Sequence, residues 1–329
     1  MTALALIEAL EELAEATVAT LPGSVGNRQG KRLVASLTRA LQEYFERIQR
    51  RFPTAKVLSF AGKYMAARPE GQKQTQAEKV QVRGQVEKVI GPAVTKRDTT
   101  LERVLAEHMA VGYTVAADQI EASLRKQFRI RESGLQEASI RAEFLDQPIP
   151  IPIIDWARAE SATLVTAMAE TTQRDLAGVI ADAMTNPRRG VPDVGRAIRE
   201  RFTDMTRERA ELIANTEMNN AMSQGTVDRG ASMGAKEKEW ITVGDDRVSE
   251  LICEPNGGQG NIPLAKAFQS GHMQPSGHPR CRCAIATFGA TRATARVGVS
   301  PEGRSNWLAN VGNGIAAAQG LQAIIRAAG

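Results

Sequence analysis

The residues best suited to chemistry lie in one short window near the C-terminus of this 329-residue chain. The chain has three cysteines, and all of them fall between residues 253 and 283. The stretch "GHPRCRC" carries His278, Cys281 and Cys283, and Cys253 lies upstream of it. Three thiolates and one imidazole are the ligands of a tetrahedral Cys3His zinc site. One hypothesis for this window is therefore a structural zinc site.

The spacing of these residues differs from that of a common zinc finger, whose ligands come in two pairs. The stretch 281–288 has the pattern of a β-strand, which would place Cys281 and Cys283 on one face. Cys253 would then return to this face from an upstream strand. Asp246 or His272 are further candidates for a fourth ligand.

Two other interpretations of the window remain open. Free cysteine is among the most buried residue types, so the thiols can simply fill a small core without a metal. Cys281 and His278 also have the residue types of a catalytic thiol–imidazole pair, and Ser249, Asp246 and His278 those of a triad. Such sites are recognised by geometry, and no oxyanion site is evident. The "GGQG" loop at 257–260 lacks the Lys-Ser/Thr and the strand–loop–helix frame of a phosphate-binding loop. We therefore predict no enzymatic activity, no catalytic residues and no small-molecule substrate.

Charge is concentrated in one segment of the chain. The net charge is +5 over the whole sequence, but residues 47–97 hold twelve Lys/Arg and three Asp/Glu, a net of +9. A local basic segment attracts phosphate backbones or an acidic protein surface. The candidate contact residues for DNA or an acidic partner are Arg47, Arg50, Arg51, Lys56, Lys63, Arg68, Lys73, Lys79, Arg83, Lys88, Lys96 and Arg97.

Helical periodicity dominates the first two thirds of the chain. Apolar stripes predict helices over 31–50, 100–128, 155–184 and 206–232, with a short helix whose N-cap is Asp193. His108 lies beside apolar positions and is expected to be a core or groove histidine. The Gln- and Lys-rich stretch 67–85 has few large apolar residues, so we expect an exposed loop or an extended arm there.

The remaining pattern predicts a predominantly helical α+β fold with short antiparallel strands near the C-terminus. Alternation in "EKEWITV" and "CRCAIATF" predicts two strands, and "NGGQGN" at 256–261 predicts a loop. Prolines at every second position make 146–154 a stiff extended linker. The predicted regions are a helical 1–145, the linker 146–154, a helical 155–235, a strand and Cys/His knuckle at 236–289, and a tail at 290–329.

The opening segment lacks the basic start and uninterrupted apolar run of a secretory signal, because glutamates divide it. We therefore expect a chain that is made and folded in a cytoplasm, with no membrane association and no disulfide framework.

The order of these short stretches resembles the Mu F-like family of phage head morphogenesis proteins, also called minor head proteins. The resemblance rests on "IANTEMNNAMSQG", "WITVGDDRVSELICEPNGG" and "GHPRCRC" at 213–225, 240–258 and 277–283. Asn215 stands where that family usually has Arg. The positions that match the family pattern, which we expect to be structural, are Thr216, Glu217, Trp240, Asp246, Arg247 and Arg282.

The resemblance implies a non-enzymatic structural protein of a phage virion, inside the capsid near the portal vertex. Its implied partners are the portal protein, packaged double-stranded DNA, and major capsid or scaffolding protein. Its implied roles are head morphogenesis, DNA packaging or genome delivery. The alternative is a zinc-dependent nucleic-acid-binding module with a helical oligomerisation arm.

Overall fold

The computed structural model describes residues 23–67, 75–127, 151–244 and 247–289. Its helices, in chain order, are α1 Arg28–Arg51, α2 Thr54–Ala66, α3 Gln76–Val94, α4 Thr99–Gln127, α5 Ile151–Thr185, α6 Val191–Asp204, a π-helical turn Met205–Arg209, α7 Ala210–Ser232 and α8 Cys253–Gly258. Its strands are β1 Glu237–Ile241, β2 Ile262–Pro263 and β3 Ala284–Phe288. The predicted class, mainly helical with a small antiparallel sheet, is confirmed.

The described residues divide into two compact units. One unit comprises the described chain up to Leu37, the segment Val104–Glu160 and the chain from Leu212 onward. The other unit comprises Thr38–Arg103 and Ser161–Glu211. The boundaries between units therefore fall within helices, and each unit gathers distant parts of the sequence. The domain division drawn from the sequence stays a prediction.

The helices predicted from apolar stripes over 31–50 and 100–128 are confirmed as α1 and α4. His108 on α4 is bonded within its unit, as expected for a groove histidine. Its Nδ1 lies 2.7 Å from the Val104 carbonyl oxygen. Since a carbonyl oxygen can only accept a hydrogen bond, Nδ1 must be the donor. Its Nε2 therefore accepts from the Ser36 hydroxyl at 3.0 Å.

The exposed loop predicted over 67–85 is wrong from Gln76 onward, because α3 begins there. Thr75 caps this helix: its hydroxyl accepts from the Glu78 backbone N–H at 3.2 Å. The Glu78 carboxylate in turn accepts from the Thr75 N–H at 2.7 Å. Val82 and Val86 are buried one turn apart, so a few well-spaced valines outweigh the polar composition. Residues 68–74 lie outside the described part.

The extended linker predicted over 146–154 is wrong for its last four residues, because α5 begins at Ile151. Proline is tolerated in the first turn of a helix, since the N–H that it lacks has no intrahelical acceptor there. Residues 146–150 lie outside the described part.

A third correction concerns the start of α6. Asp193 was expected to be its N-cap, but Gly190 holds that position. The Asp193 carboxylate accepts a hydrogen bond from the Gly190 N–H at 2.8 Å, so it acts three residues into the helix. The π-helical turn then joins α6 directly to α7, which ends before Gly234 with a φ of +85°.

The sheet has the order β2-β1-β3, with both pairings antiparallel. Trp240 on β1 lies opposite Ile285 on β3. The second strand was expected over 281–288, but β3 starts at Ala284, so Cys281 and Cys283 precede it. The loop predicted at 256–261 is also wrong at its start, since α8 extends to Gly258.

Candidate metal centre

Three ligand atoms converge at one end of the sheet. The Sγ of Cys253, the first residue of α8, lies 3.1 Å from the Nε2 of His278. It lies 3.8 Å from the Sγ of Cys281. These three atoms all lie within 4.8 Å of one another. Cys283, two residues further along, is also buried and packs in the same core cluster as Cys253 and Cys281. Three of the four residues named from the sequence therefore form one close group, and Cys283 lies in the same buried core outside that group.

A tight turn delivers His278 and Cys281 to this point. The Cys281 N–H donates to the His278 carbonyl at 3.1 Å, and Arg280 between them has a φ of +64°. Proline at the second position and a positive φ at the third are the marks of a type II β-turn. Pro279 therefore pre-sets the turn, while Arg280 occupies a position that favours glycine.

Helix α7 holds this turn from the other side. The Asn219 side-chain amide donates to the carbonyls of Cys281 and Cys283, at 3.0 and 3.2 Å. Asn220 accepts from the Ser276 N–H at 3.0 Å. Thr216, one of the expected structural residues, accepts from the Arg280 N–H at 3.4 Å. The two asparagines were not predicted, although their polar run inside a buried helix was a signal in the sequence.

Burial and mutual contact perturb the ionisable groups of the cluster. Hydrogen bonding to Cys253, then to Cys281, raises the pKa of His278 to about 10. Contacts with the Cys253 and Cys283 thiols hold the pKa of Cys281 well below its ordinary value. Contacts with Cys253, then with Cys281, and burial raise the pKa of Cys283. The cluster thus stabilises a thiolate at Cys281 beside a charged imidazole.

Comparison with known proteins identifies the part of the chain that carries this cluster. Residues 165–286 match the family model described as Phage Mu protein F like protein. This segment belongs to the Mu F-like family. The match includes α6, α7, β1 and the whole turn that holds His278 and Cys281. It supports the coarse function expected from the sequence, a phage head morphogenesis protein.

No curated protein and no solved structure matches this chain. Within the ranges that the structure describes, no helix is both long enough and apolar enough to cross a membrane.

Glu217 and Trp240, two of the expected structural positions of the Mu F-like segment, are buried. The Trp240 ring meets Phe268 edge-on, with centroids 5.3 Å apart. Burial, followed by the charge of Glu160, raises the pKa of Glu217 to about 7. The amide of Asn220 opposes this shift by donating to the Glu217 carboxylate at 3.3 Å. Both residues therefore belong to the interior of the fold.

The structural roles expected for Asp246, Arg247 and Arg282 are not established by the described contacts. Asp246 lies outside the described residues, so its expected part in a turn or as a ligand is untested. Arg247 is exposed and Arg282 is half-buried. The pairing of these arginines with nearby carboxylates stays a prediction.

His272, the other candidate ligand of the Mu F-like segment, lies close enough to be influenced by the charge of Cys281. Its Nδ1 is 2.8 Å from the Ser270 hydroxyl. Its Nε2 is buried and has no hydrogen-bond partner among the described residues. Burial lowers the pKa of His272, which favours the neutral imidazole.

The geometry gives little support to a catalytic interpretation of this Mu F-like cluster. His278 contacts Cys253, which is fully buried, and Cys281 is only 1% exposed. A nucleophilic thiol must be accessible to its substrate. Ser249 instead lies in the turn before α8, where its carbonyl accepts from the Cys253 N–H at 2.9 Å. These contacts are those of a structural core.

The arginines of the basic window, residues 47–97, largely form ion pairs and hydrogen bonds with groups of their own unit. Arg47 pairs with Asp98 at 3.1 Å, and Arg51 donates to the Ala93 carbonyl at 2.6 Å. Three further ion pairs within this unit are Arg50–Glu46, Arg83–Glu87 and Arg97–Glu102. Much of the local positive charge is therefore balanced by neighbouring groups.

The lysines of the window are mostly on the surface. Lys79 is half-buried, Arg68 and Lys73 lie outside the described residues, and the exposed members are Lys56, Lys63, Lys88 and Lys96. These four lysines are the better candidates for contact with a polyanion, because a solvated ammonium can neutralise a phosphate without first breaking an ion pair.

Proposed function

We propose that this protein is a non-enzymatic minor head protein that resides inside the phage capsid, near the portal vertex. Its proposed role is in head morphogenesis, DNA packaging or genome delivery. The observation that carries the proposal is the Mu F-like match over residues 165–286. The burial of every cysteine, and their contacts with α7 and β3, agree with a structural role.

The portal protein is the proposed main partner. Packaged double-stranded DNA and major capsid or scaffolding protein are secondary ones. The protein would be made in the cytoplasm of the host bacterium and incorporated during head assembly. Membrane association and a small-molecule substrate form no part of this proposal.

The exposed lysines of the basic window supply a physical reason for a polyanionic partner. Lys56 and Lys63 lie on α2, Lys88 on α3, and Lys96 follows α3. Each contact between a lysine and a DNA phosphate releases counterions, so binding would weaken steeply as salt rises. An acidic face of a partner protein would show a weaker salt dependence, since counterions condense less on proteins than on DNA.

The first test is mass spectrometry of purified virions together with affinity capture on the portal protein. We expect the protein in mature virions, and we expect it to be captured by portal protein at moderate salt. Its absence from virions would contradict the proposal, whatever the isolated protein binds. Its presence in virions without portal capture would overturn the portal assignment.

The second test is charge reversal of the exposed lysines. The variant Lys56→Glu/Lys63→Glu/Lys88→Glu should reduce incorporation into heads or binding to DNA. The matched control, Lys31→Glu/Lys236→Glu/Lys266→Glu, makes the same change of charge at exposed lysines outside the basic window. Equal effects of both variants would indicate a response to net charge alone and would contradict a specific role for the window.

A further inference from the structure

We propose that Cys253, His278, Cys281 and Cys283 bind one structural zinc ion. The ion would join the start of α8, the turn before β3 and the residues that lead into β3. This proposal is independent of the role in the phage head, because it concerns the isolated chain.

The distances among three of the four ligand atoms are those of a metal site, and the Cys283 side chain would have to move closer to complete it. Two zinc–sulfur bonds of about 2.3 Å at the tetrahedral angle place their sulfurs about 3.8 Å apart. The Cys253 and Cys281 sulfurs are 3.8 Å apart. A disulfide would require about 2.05 Å, and all three cysteines are free thiols. The two sulfurs and the His278 Nε2 therefore already surround a common point.

The hydrogen bonding of His278 fixes which of its nitrogens faces the cluster. Its Nδ1 lies 2.8 Å from the Pro279 carbonyl. Because that carbonyl only accepts, Nδ1 carries a hydrogen and donates it. In the neutral ring the lone pair is then on Nε2, the atom that lies beside the Cys253 sulfur. A backbone carbonyl that orients a histidine in this way is a usual partner of zinc ligands.

Hydrogen bonds from a neighbouring helix also fix the backbone of Cys281 and Cys283. Asn219 donates to the carbonyls of both Cys281 and Cys283, which fixes the segment that carries two thiols. Gly277, just before the turn, has no room for a side chain, because a Cβ there would lie 2.5 Å from the Ile252 Cγ2. The cluster is therefore positioned by its surroundings and not only by the ligands themselves.

The knuckle at residues 236–289 has a small sheet and a small core, so a metal cross-link would add to its stability. Its sheet has two five-residue strands and one two-residue strand. The core around the thiols consists of a few side chains, chiefly Trp240, Ile262, Phe268 and Ile285. Small folds with limited cores commonly need a metal or a disulfide. Soft thiolates with an imidazole favour zinc, and four protein ligands leave no open position for catalysis.

The fourth ligand is assigned to Cys283 and not to His272. The Cys283 side chain packs in the same buried core cluster as those of Cys253 and Cys281, and its carbonyl is held by Asn219. His272 also has a buried Nε2 that lacks a hydrogen-bond partner among the described residues. The two assignments differ in which substitution removes the metal.

The test starts with the full-length protein purified without chelators or added metal. Native mass spectrometry and elemental analysis should give about one zinc ion per chain. A strong chelator should remove the ion and lower the melting temperature, and added zinc should restore it. Cobalt should replace zinc and give the absorption of tetrahedral cobalt with thiolate ligands. A metal-free protein whose melting temperature responds neither to chelator nor to zinc would overturn the proposal.

Substitutions assign the ligands. Cys253→Ser, His278→Ala, Cys281→Ser and Cys283→Ser should each abolish stoichiometric zinc. Two variants serve as controls. His108→Ala removes a histidine that lies far from the cluster in the sequence, and Ile262→Ala weakens the core around the thiols without removing a ligand. Both controls should retain zinc. If Ile262→Ala loses zinc as completely as the cysteine variants, the loss reflects unfolding and the ligand assignment fails.

A final comparison decides the fourth ligand. Cys283→Ser should lose zinc, and His272→Gln should retain it. The reverse result would overturn the assignment of Cys283. If chelators have no effect but oxidation links Cys253 to Cys281, the cluster is a thiol–disulfide pair and the zinc proposal is wrong.

Discussion

The side-chain amide of Asn219 on α7 donates both of its hydrogens to backbone carbonyls beside the thiol cluster, those of Cys281 and Cys283. Asn219 is 1% exposed, so these bonds form away from water. One helix residue thus fixes the segment that carries two of the three cysteines. The stability of the knuckle should depend on it more than on any residue of similar size at the surface.

Asn219→Ala should lower the free energy of unfolding by about 2–4 kcal/mol, because two buried carbonyls lose their donor. It should also weaken zinc binding by roughly 10–100-fold, as do other substitutions of residues that hydrogen-bond to metal-ligating residues. Urea denaturation and competition with a zinc chelator measure the two effects. Asn261→Ala, at an exposed position, should change stability by less than about 0.5 kcal/mol. Similar effects for both variants would contradict this account.

Glu217 should make the protein less stable as pH rises. Burial raises its pKa to about 7, whereas an unfolded chain has a glutamate pKa of about 4.3. Between these values the folded state binds a proton that the unfolded state has released, so the free energy of unfolding falls with rising pH. Nearby Glu160, whose pKa burial also raises, contributes in the same direction.

Glu217→Gln should remove most of this dependence and make the variant more stable than the natural chain at about pH 8. The expected gain is on the order of 3 kcal/mol, reduced if the amide packs less well. Urea denaturation from about pH 5 to pH 8 measures it. Glu250→Gln, at an exposed position, is the control. A Glu217→Gln variant with an unchanged pH profile would show that Glu217 titrates normally.

Gly277→Ala should destabilise the knuckle, because the new Cβ would meet Ile252 at 2.5 Å and Trp240 at 3.3 Å. We expect a loss of about 1–3 kcal/mol in the free energy of unfolding, as for other overpacked sites. Gly258→Ala is the matched control, since no atom lies within 4 Å of the Cβ built there. Thermal and urea denaturation of both variants compare the two sites, and an equal loss would refute the steric explanation.

Arg280→Gly should stabilise the turn by roughly 0.5–1 kcal/mol. Arg280 has a φ of +64°, a conformation that costs a residue with a side chain about 1–2 kcal/mol and costs glycine little. Part of this gain is offset by the greater entropy of glycine in the unfolded chain. Arg280→Ala keeps the Cβ and should have little effect, because the side chain is exposed. A larger gain from Ala than from Gly would contradict the assignment of strain to the backbone.

Local patterns in the sequence predicted those elements whose apolar residues recur regularly. The stripe through Leu37, Leu41 and Ile48 gave the right helix, since one face of α1 is buried. The same rule failed for α3, where polar residues hide the few buried valines and the capping box of Thr75 and Glu78. Average composition misled there because a helix needs only a narrow apolar stripe.

The sequence by itself determined the ligand residue types, the helical class and the family resemblance, because these depend on residue identity and local spacing. Only the tertiary structure decided that Cys253 reaches His278 across 25 residues, and that Asn219 holds the turn that runs from His278 to Cys281. It also placed Cys281 and Cys283 before β3 and not on it. Such contacts join residues far apart in the chain, and they depend on how α7, α8 and the sheet pack, which no local pattern specifies.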